Sequence, residues 1–163
     1  MAVRKILRVG DETLRRKARP VEVFDKRLHT LLDDMAETMY SADGAGLAAP
    51  QVGILRRVVV IDVGEGIIEL INPEILSAEG EQINPEGCLS IPGRRCTVAR
   101  PQKVVVKAQD RNGDPFELTG EGFLAIAVSH ELDHLDGVLY IDKMIEDVTD
   151  KLDDEDEENR DKV

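Results

Sequence analysis

The chain reads as an α+β protein: antiparallel sheets around a central buried helix that carries H-E-x-x-H. Three observations predict this. The run Phe123-Leu124-Ala125-Ile126-Ala127-Val128, followed by Ser129-His130-Glu131-Leu132-Asp133-His134, is apolar on nearly every side, as a helix enclosed by the fold must be. Runs rich in Val and Ile, each of strand length, alternate with Gly, Pro and Asn-Gly punctuation, so that successive strands return on one another. One amphipathic helix precedes them, with Leu28, Leu31, Leu32, Met35 and Met39 recurring at helical spacing.

Residues 1–23 are basic and extended, anchored by Ile6-Leu7 and Val21-Glu22-Val23. Within them Asp11 caps a short helical turn through Arg16, and Arg19-Pro20 restores extended geometry. Asp25 caps the amphipathic helix, read over 25–40; His29 lies beside its apolar stripe and reads as a surface residue. Asp43-Gly44-Ala45-Gly46-Leu47-Ala48-Ala49-Pro50-Gln51 follows. It lacks the Gly-Lys-Ser/Thr ending of a phosphate loop. It is therefore either an ordinary turn after a helix or a place where small residues let another backbone come close.

Residues 57–63 and 67–71 form a hairpin about Gly64-Glu65-Gly66; Asn72-Pro73 breaks its second strand, and 74–81 is a further strand. Residues 84–93, bounded by Pro85 and Pro92, read as a loop that holds Cys88. Residues 95–100, 103–110 and 115–118 are strands, the last two joined across Asn112-Gly113. Thr119 caps the buried helix, Gly137 stops it, and 138–141 is a last short strand. The block Asp153-Asp154-Glu155-Asp156-Glu157-Glu158 repels itself, so 148–163 is read as an acidic tail, helical or disordered, behind a catalytic domain over 1–147.

A length of 163 residues is that of one domain with a real core, and with no Trp that core must be mostly aliphatic. The net charge of −12 excludes a strongly basic nucleic-acid binder, and with it DNA as a partner. From Glu146 onward ten acidic and three basic residues carry −7 of that charge, so the acidity belongs to the tail rather than to the fold. Cys88 and Cys96 are too few for a disulfide framework. No signal peptide or membrane span is expected, which places the protein in the cytoplasm or, with a transit peptide removed, in an organelle.

On a helix, residues four apart share a face, so His130 and His134 point the same way. They are either satisfied core histidines or the two imidazoles of a metal site. Burying His, Glu, Asp and His on one helix is costly without partners, which favours the metal. A metal needs a third ligand, and Cys88 is the best candidate, since thiolate binds zinc or ferrous iron strongly. Cys, His and His leave one position open for water, the catalytic rather than the structural pattern, and Glu131 is placed to reach that water.

Three stretches together, G-A-G-L-A-A-P-Q at Gly44 to Gln51, E-G-C-L-S at Glu86 to Ser90 and H-E-L-D-H at His130 to His134, resemble the peptide deformylases in order and rough spacing. The likeness runs from about residue 3 to residue 145. It implies a peptide deformylase-like fold and hydrolysis of the formyl group from formylmethionine at the start of new bacterial or organellar polypeptides, releasing formate. It implies Cys88, His130 and His134 as ligands of one divalent metal per chain, Fe2+ in the cell, with Zn2+, Ni2+ or Co2+ as substitutes. It implies Glu131 as the base, with the Gln51 amide and the Leu89 N–H facing the oxyanion. The peptide would lie against Gly44, Ala45 and Gly46, and its methionine in a pocket at Glu86, Phe123, Ile126 and Ala127. Glu86 also matches a carboxylate that pairs with an arginine, here Arg100, and Asp133 would orient a strand or a histidine.

Two departures stand out. Ser129 replaces the family's usual Gln, which predicts altered local packing or hydrogen bonding with activity retained. The tail is acidic where some members carry a basic ribosome-docking helix, so docking on RNA is not carried over. A zinc endopeptidase shares H-E-x-x-H but takes its third ligand downstream, where little besides the tail remains. A non-enzymatic metal-stabilised module whose tail recruits a basic partner would need neither Glu131 nor Gln51.

Overall fold

A computed structural model describes residues 2–151. Its regular elements are helices α1 (Lys26–Ser41) and α2 (Phe123–Leu135) and strands β1 (Gly46–Ala48), β2 (Val58–Ile61), β3 (Ile68–Glu79), β4 (Gln82–Cys88), β5 (Ile91–Arg100), β6 (Lys103–Gln109), β7 (Pro115–Glu121) and β8 (Met144–Asp147). One sheet has the order β1-β2-β3-β6-β7, the other β4-β5-β8, and every strand pair is antiparallel.

The larger sheet explains why Val58-Val59-Val60-Ile61 is apolar without alternation. Ala48, Val59, Ile61 and Leu70 face α2 with Ala125, Val128, Leu132 and Leu135. Their neighbours Leu47, Val58, Val60 and Ile71 face α1 with Leu28, Leu31, Leu32, Met35 and Met39. Side chains of successive strand residues point to opposite faces, so a sheet covered on both faces must be apolar at every position. The α2 helix is thus enclosed between the larger sheet and the smaller one, as its all-round apolar sequence requires.

Local chemistry sets the boundaries. Asp25 caps α1 by accepting from Leu28 N, and Asp11 caps the single turn Glu12–Arg15 by accepting from Thr13 N. Asn112-Gly113 turns the β6–β7 hairpin, with Gly113 at a φ of +89°.

Four sequence expectations are corrected. Asn72-Pro73 does not end a strand: β3 runs through it, bulged between Ile71 and Glu74. Asn72 takes a φ of +52° there and its side chain bonds Val21 and Gln109. Residues 84–93 are not a loop but a hairpin, β4 and β5 joined by Leu89-Ser90. Pro85 is tolerated because β4 is an edge strand. Thr119 does not cap α2; it pairs with Val105 inside β7, and Gly122, at a φ of +60°, makes the step from strand to helix. Residues 138–141 do not form a strand. The chain makes a helical turn, Tyr140–Lys143, closed where Asp142 Oδ2 accepts from Leu139 N at 3.0 Å.

At the C-terminal end, Val148 is buried and its N–H donates to Arg95 O at 2.9 Å, so the packed structure continues past 147 onto β5. The acidic block read at 153–158 lies outside the described residues.

Candidate active site and metal centre

Helix α2 delivers His130 and His134 one turn apart on the face opposite the aliphatic core. The end of β4 delivers Cys88 to the same point. The ligand atoms of Cys88, His130 and His134 lie within 4.8 Å of one another, and all three residues are buried. Cys88 Sγ is 3.4 Å from His134 Nε2.

The surroundings act on each donor differently. His130 Nδ1 lies 2.9 Å from Glu86 Oε1, so its N–H donates there and the lone pair rests on Nε2. That Nε2 is buried and has no partner among the described residues. Burial holds both imidazoles below their usual range, in the neutral form that donates a lone pair, though Glu86 pulls His130 partly back. Burial, and then the Glu131 charge, push the Cys88 thiol up to about 12. A cation opposite it is what makes such a thiol a thiolate.

Glu86 is itself fixed. Arg100 donates to both its oxygens, at 2.8 and 2.9 Å, and donates to Asp133 Oδ2 at 2.8 Å. Lys143 closes the chain on Asp133 at 3.0 Å. Asp133 therefore meets Arg100 on β5, and through Arg100 and Glu86 it is linked to His130, so both alternatives left by the sequence stay open. The Tyr140 ring stacks on His130 with centroids 5.8 Å apart.

Glu131 is fully buried, and neither carboxylate oxygen has a hydrogen-bond partner among the described residues. Burial raises its carboxyl well above the usual range, and the Glu86 charge adds to this. A Cβ placed on Gly46 would fall 2.5 Å from Glu131 Oε2, so only glycine leaves the carboxylate its place. Likewise a Cβ on Gly44 would fall 2.6 Å from Leu89 Cδ1. The glycine stretch thus lies directly against the Leu89 side chain at Gly44 and against Glu131 at Gly46.

Gln51 sits in the turn Ala49–Val52 with both ends of its amide assigned. Its Oε1 accepts from Ala48 N at 2.9 Å, and its Nε2 donates to Ser90 Oγ at 3.0 Å and lies 3.6 Å from Cys88 Sγ.

The chain that carries this geometry is similar to known proteins along most of its length. The family model for polypeptide deformylase matches residues 3–150. The chain belongs to the polypeptide deformylase family. A peptide deformylase of Caldicellulosiruptor bescii is 63% identical over 145 residues, 89% of this chain and 87% of that one. The crystal structure of a peptide deformylase from Legionella pneumophila superposes with a TM-score of 0.86 at 53% identity, covering 88% of this chain and 86% of that one. That from Thermotoga maritima gives 0.87 at 44% identity, covering 88% and 99%. Deformylases remove the N-terminal formyl group from newly made polypeptides, and the chain is a metal-dependent amide hydrolase of that kind.

Among the residues singled out in the deformylase sequence, Cys88, His130 and His134 converge and Gln51 adjoins Cys88, while Glu131 is near enough for its charge to act on the Cys88 thiol. Phe123, Ile126 and Ala127 share a helix face with His130 and His134, each following an earlier one at a spacing of three or four residues. Ala45 and Phe123 pack at the edge of the same core cluster. Glu86 departs from the expected pocket: it is 1% exposed and spent on Arg100 and His130. Ser129 turns its hydroxyl to Ala125 O at 2.8 Å, within its own helix.

Sequence reading passed over Ser90, Tyr140 and Lys143. It also missed that the N-terminal arm reaches the site. Leu7 N donates to Gln51 O at 2.7 Å and Val9 N to Ser90 O at 2.9 Å. No motif marks a backbone contact of that kind. Ser90 alone carried a signal, as the last residue of E-G-C-L-S.

Proposed function

We propose that Cys88, His130 and His134 hold one divalent cation, Fe2+ in the cell with Zn2+, Ni2+ or Co2+ as substitutes, and that Glu131, Gln51 and Leu89 act on the formyl group beside it. The donor set fits such a cation: a soft sulfur, two neutral imidazoles, and an orphaned Nε2 on His130 aimed at the cluster. When bound, the cation supplies Lewis acidity, making a water more acidic and drawing charge from the formyl oxygen.

The chain's own residues do the rest. Glu131, dry and unpartnered, takes the water's proton on a carboxylate oxygen and returns it to the departing amine. Gln51 Nε2 and the Leu89 N–H donate to the formyl oxygen as it gains charge. Ser90 and Ala48 hold the Gln51 amide in one orientation throughout. Glu86 keeps the His130 tautomer, and so serves the site through His130 rather than by lining the methionine pocket.

The peptide has a natural place. β1 is an edge strand of the larger sheet, so its outer side is open to an added strand along Gly44, Ala45 and Gly46. Phe123, Ile126 and Ala127, on the helix face that carries the ligands, would take the methionine side chain. Nascent formylmethionyl polypeptides are the partners, met in the cytoplasm. No helix among the described residues is long and apolar enough to cross a membrane. The acidic tail argues against docking on ribosomal RNA.

The observation that carries this reading is the pair of unsatisfied Glu131 oxygens beside the Cys-His-His cluster. Formate release from formyl-Met peptides by anaerobically prepared, iron-loaded protein tests it. Glu131→Gln should keep the metal and lose about 100-fold or more of turnover. Normal turnover in that variant would remove Glu131 from the mechanism.

A further inference from the structure

Beside the site lies a cavity of about 1110 Å³ whose charge is opposite to that of the molecule as a whole. Its lining runs from Cys88 and Leu89 to Lys5, Arg8, Arg94 and Arg95. Arg94 is engaged by Asp147 at 3.0 Å. Lys5 and Arg8 are exposed and have no carboxylate partner among the described residues. A protein of net charge −12 therefore places a concentration of cations at the flank of its reaction site.

The described chain ends near Arg95 of that cavity, shortly before its strongest acidic stretch in sequence. Val148 N donates to Arg95 O, and Thr149 Oγ1 accepts from Arg95 N at 2.9 Å, so the backbone runs beside Arg95, a residue of the cavity lining, shortly before it reaches Lys151. Residues 152–163 then carry seven acidic and two basic side chains, six of the acids consecutive from Asp153 to Glu158. A dozen residues span up to about 40 Å, enough to return across the cavity. The tether holds those carboxylates at an effective concentration on the order of millimolar. RNA is a poor occupant by comparison, because the same tail repels it.

We propose that this cavity is an acidic-peptide site and that its occupant is residues 153–158 of the same chain, which compete with the formylated peptide for the space beside Leu89. The inference rests on the assignment of Cys88 and Leu89 to the site. Its attraction is Coulombic between exposed groups, so salt screens it.

The test compares three iron-loaded proteins: the full chain, a chain ending at Lys151, and the full chain with Lys5→Glu and Arg8→Glu. At low ionic strength the second and third should show KM for a short neutral formyl-Met peptide lowered about threefold or more, with kcat unchanged. Combining truncation with charge reversal should add nothing, and the difference should close at about 0.5 M salt. A labelled synthetic peptide of residues 152–163 should bind the shortened chain and not its charge-reversed form. That binding is read without turnover, so its failure is separable from failure of the site assignment. Equal KM for full and shortened chains at low salt overturns the proposal. So does a charge reversal that weakens only substrates with acidic residues after the methionine, since the cavity would then serve the substrate rather than the tail.

Discussion

Gln51 shows how a single amide is prepared for one task. Its oxygen is held by Ala48 N and its nitrogen by Ser90 Oγ, so the group cannot flip without losing both bonds. Ser90 is fully buried and is the only one of these partners with a side chain to remove. Ser90→Ala should lower kcat about tenfold, less than the ~100-fold expected on losing the donor itself. Metal content and KM should stay near those of the parent, as metal analysis and steady-state kinetics would show. A fall in metal content would instead assign Ser90 to Cys88.

The N-terminal arm is the element that reaches both turns of the candidate site. Its backbone ties the Gln51 turn to the Leu89-Ser90 turn, and its outer end is fastened where Asp34 accepts from Ala2 N at 2.7 Å and pairs with Arg4 at 2.9 Å. Burial pushes the Asp34 carboxyl up, but those bonds outweigh it and hold it below the usual range. A carboxylate with a depressed folded pKa contributes in full above its unfolded pKa of about 4, and the contribution is lost as pH falls through the folded value. Protection of the Leu7 and Val9 amides, relative to their intrinsic exchange at each pH, should therefore fall below about pH 4, and in Asp34→Asn it should be low already at neutral pH. Equal protection in the two proteins would show that the arm is held from elsewhere.

At this scale the sequence was an uneven guide. Both helices were legible because their spacing alone encodes them: Leu28 to Met39 on α1, the apolar run before His130 on α2. The hairpin that holds Cys88 was not, because Pro85 and Pro92 carry the same local signal in an edge hairpin as in a loop. Only the pairing of β4 with β5, set by distant packing, distinguishes them. Asn72-Pro73 misled for the same reason, since a bulge and a break share their residues. The site itself was legible at Cys88, Glu131 and the histidines, whose chemistry is carried by side chains. The arm's contribution, made through backbone N–H groups, leaves no trace in residue type.

For the whole molecule, one buried ion network holds its layers together. Arg100 on β5 meets Glu86 on β4 and Asp133 on α2, and Lys143 reaches in from the final turn. Arg100 and Glu86 side chains are 3% and 2% exposed, so removing one partner leaves charge in a dry interior. Arg100→Ala should cost on the order of 3–5 kcal/mol. Denaturant unfolding would measure that, and metal affinity should fall as the His130 tautomer loosens. A loss within experimental error would mean that water reaches Glu86.

The shortness of β1 bears on what happens after the reaction. Only Gly46 to Ala48 pair as a strand, so an added peptide finds few backbone partners, each worth about 1 kcal/mol net. Grip must then come from the methionine end, and residues further along the polypeptide contribute almost nothing. KM should level off once a substrate exceeds roughly four residues, as a series of formyl-Met peptides would show. A tight, extended ladder would instead discriminate among sequences and release its products slowly. If the peptide adds to β1 as proposed, a three-residue edge would let go of each finished chain quickly and give every new polypeptide, whatever its sequence, nearly the same reception.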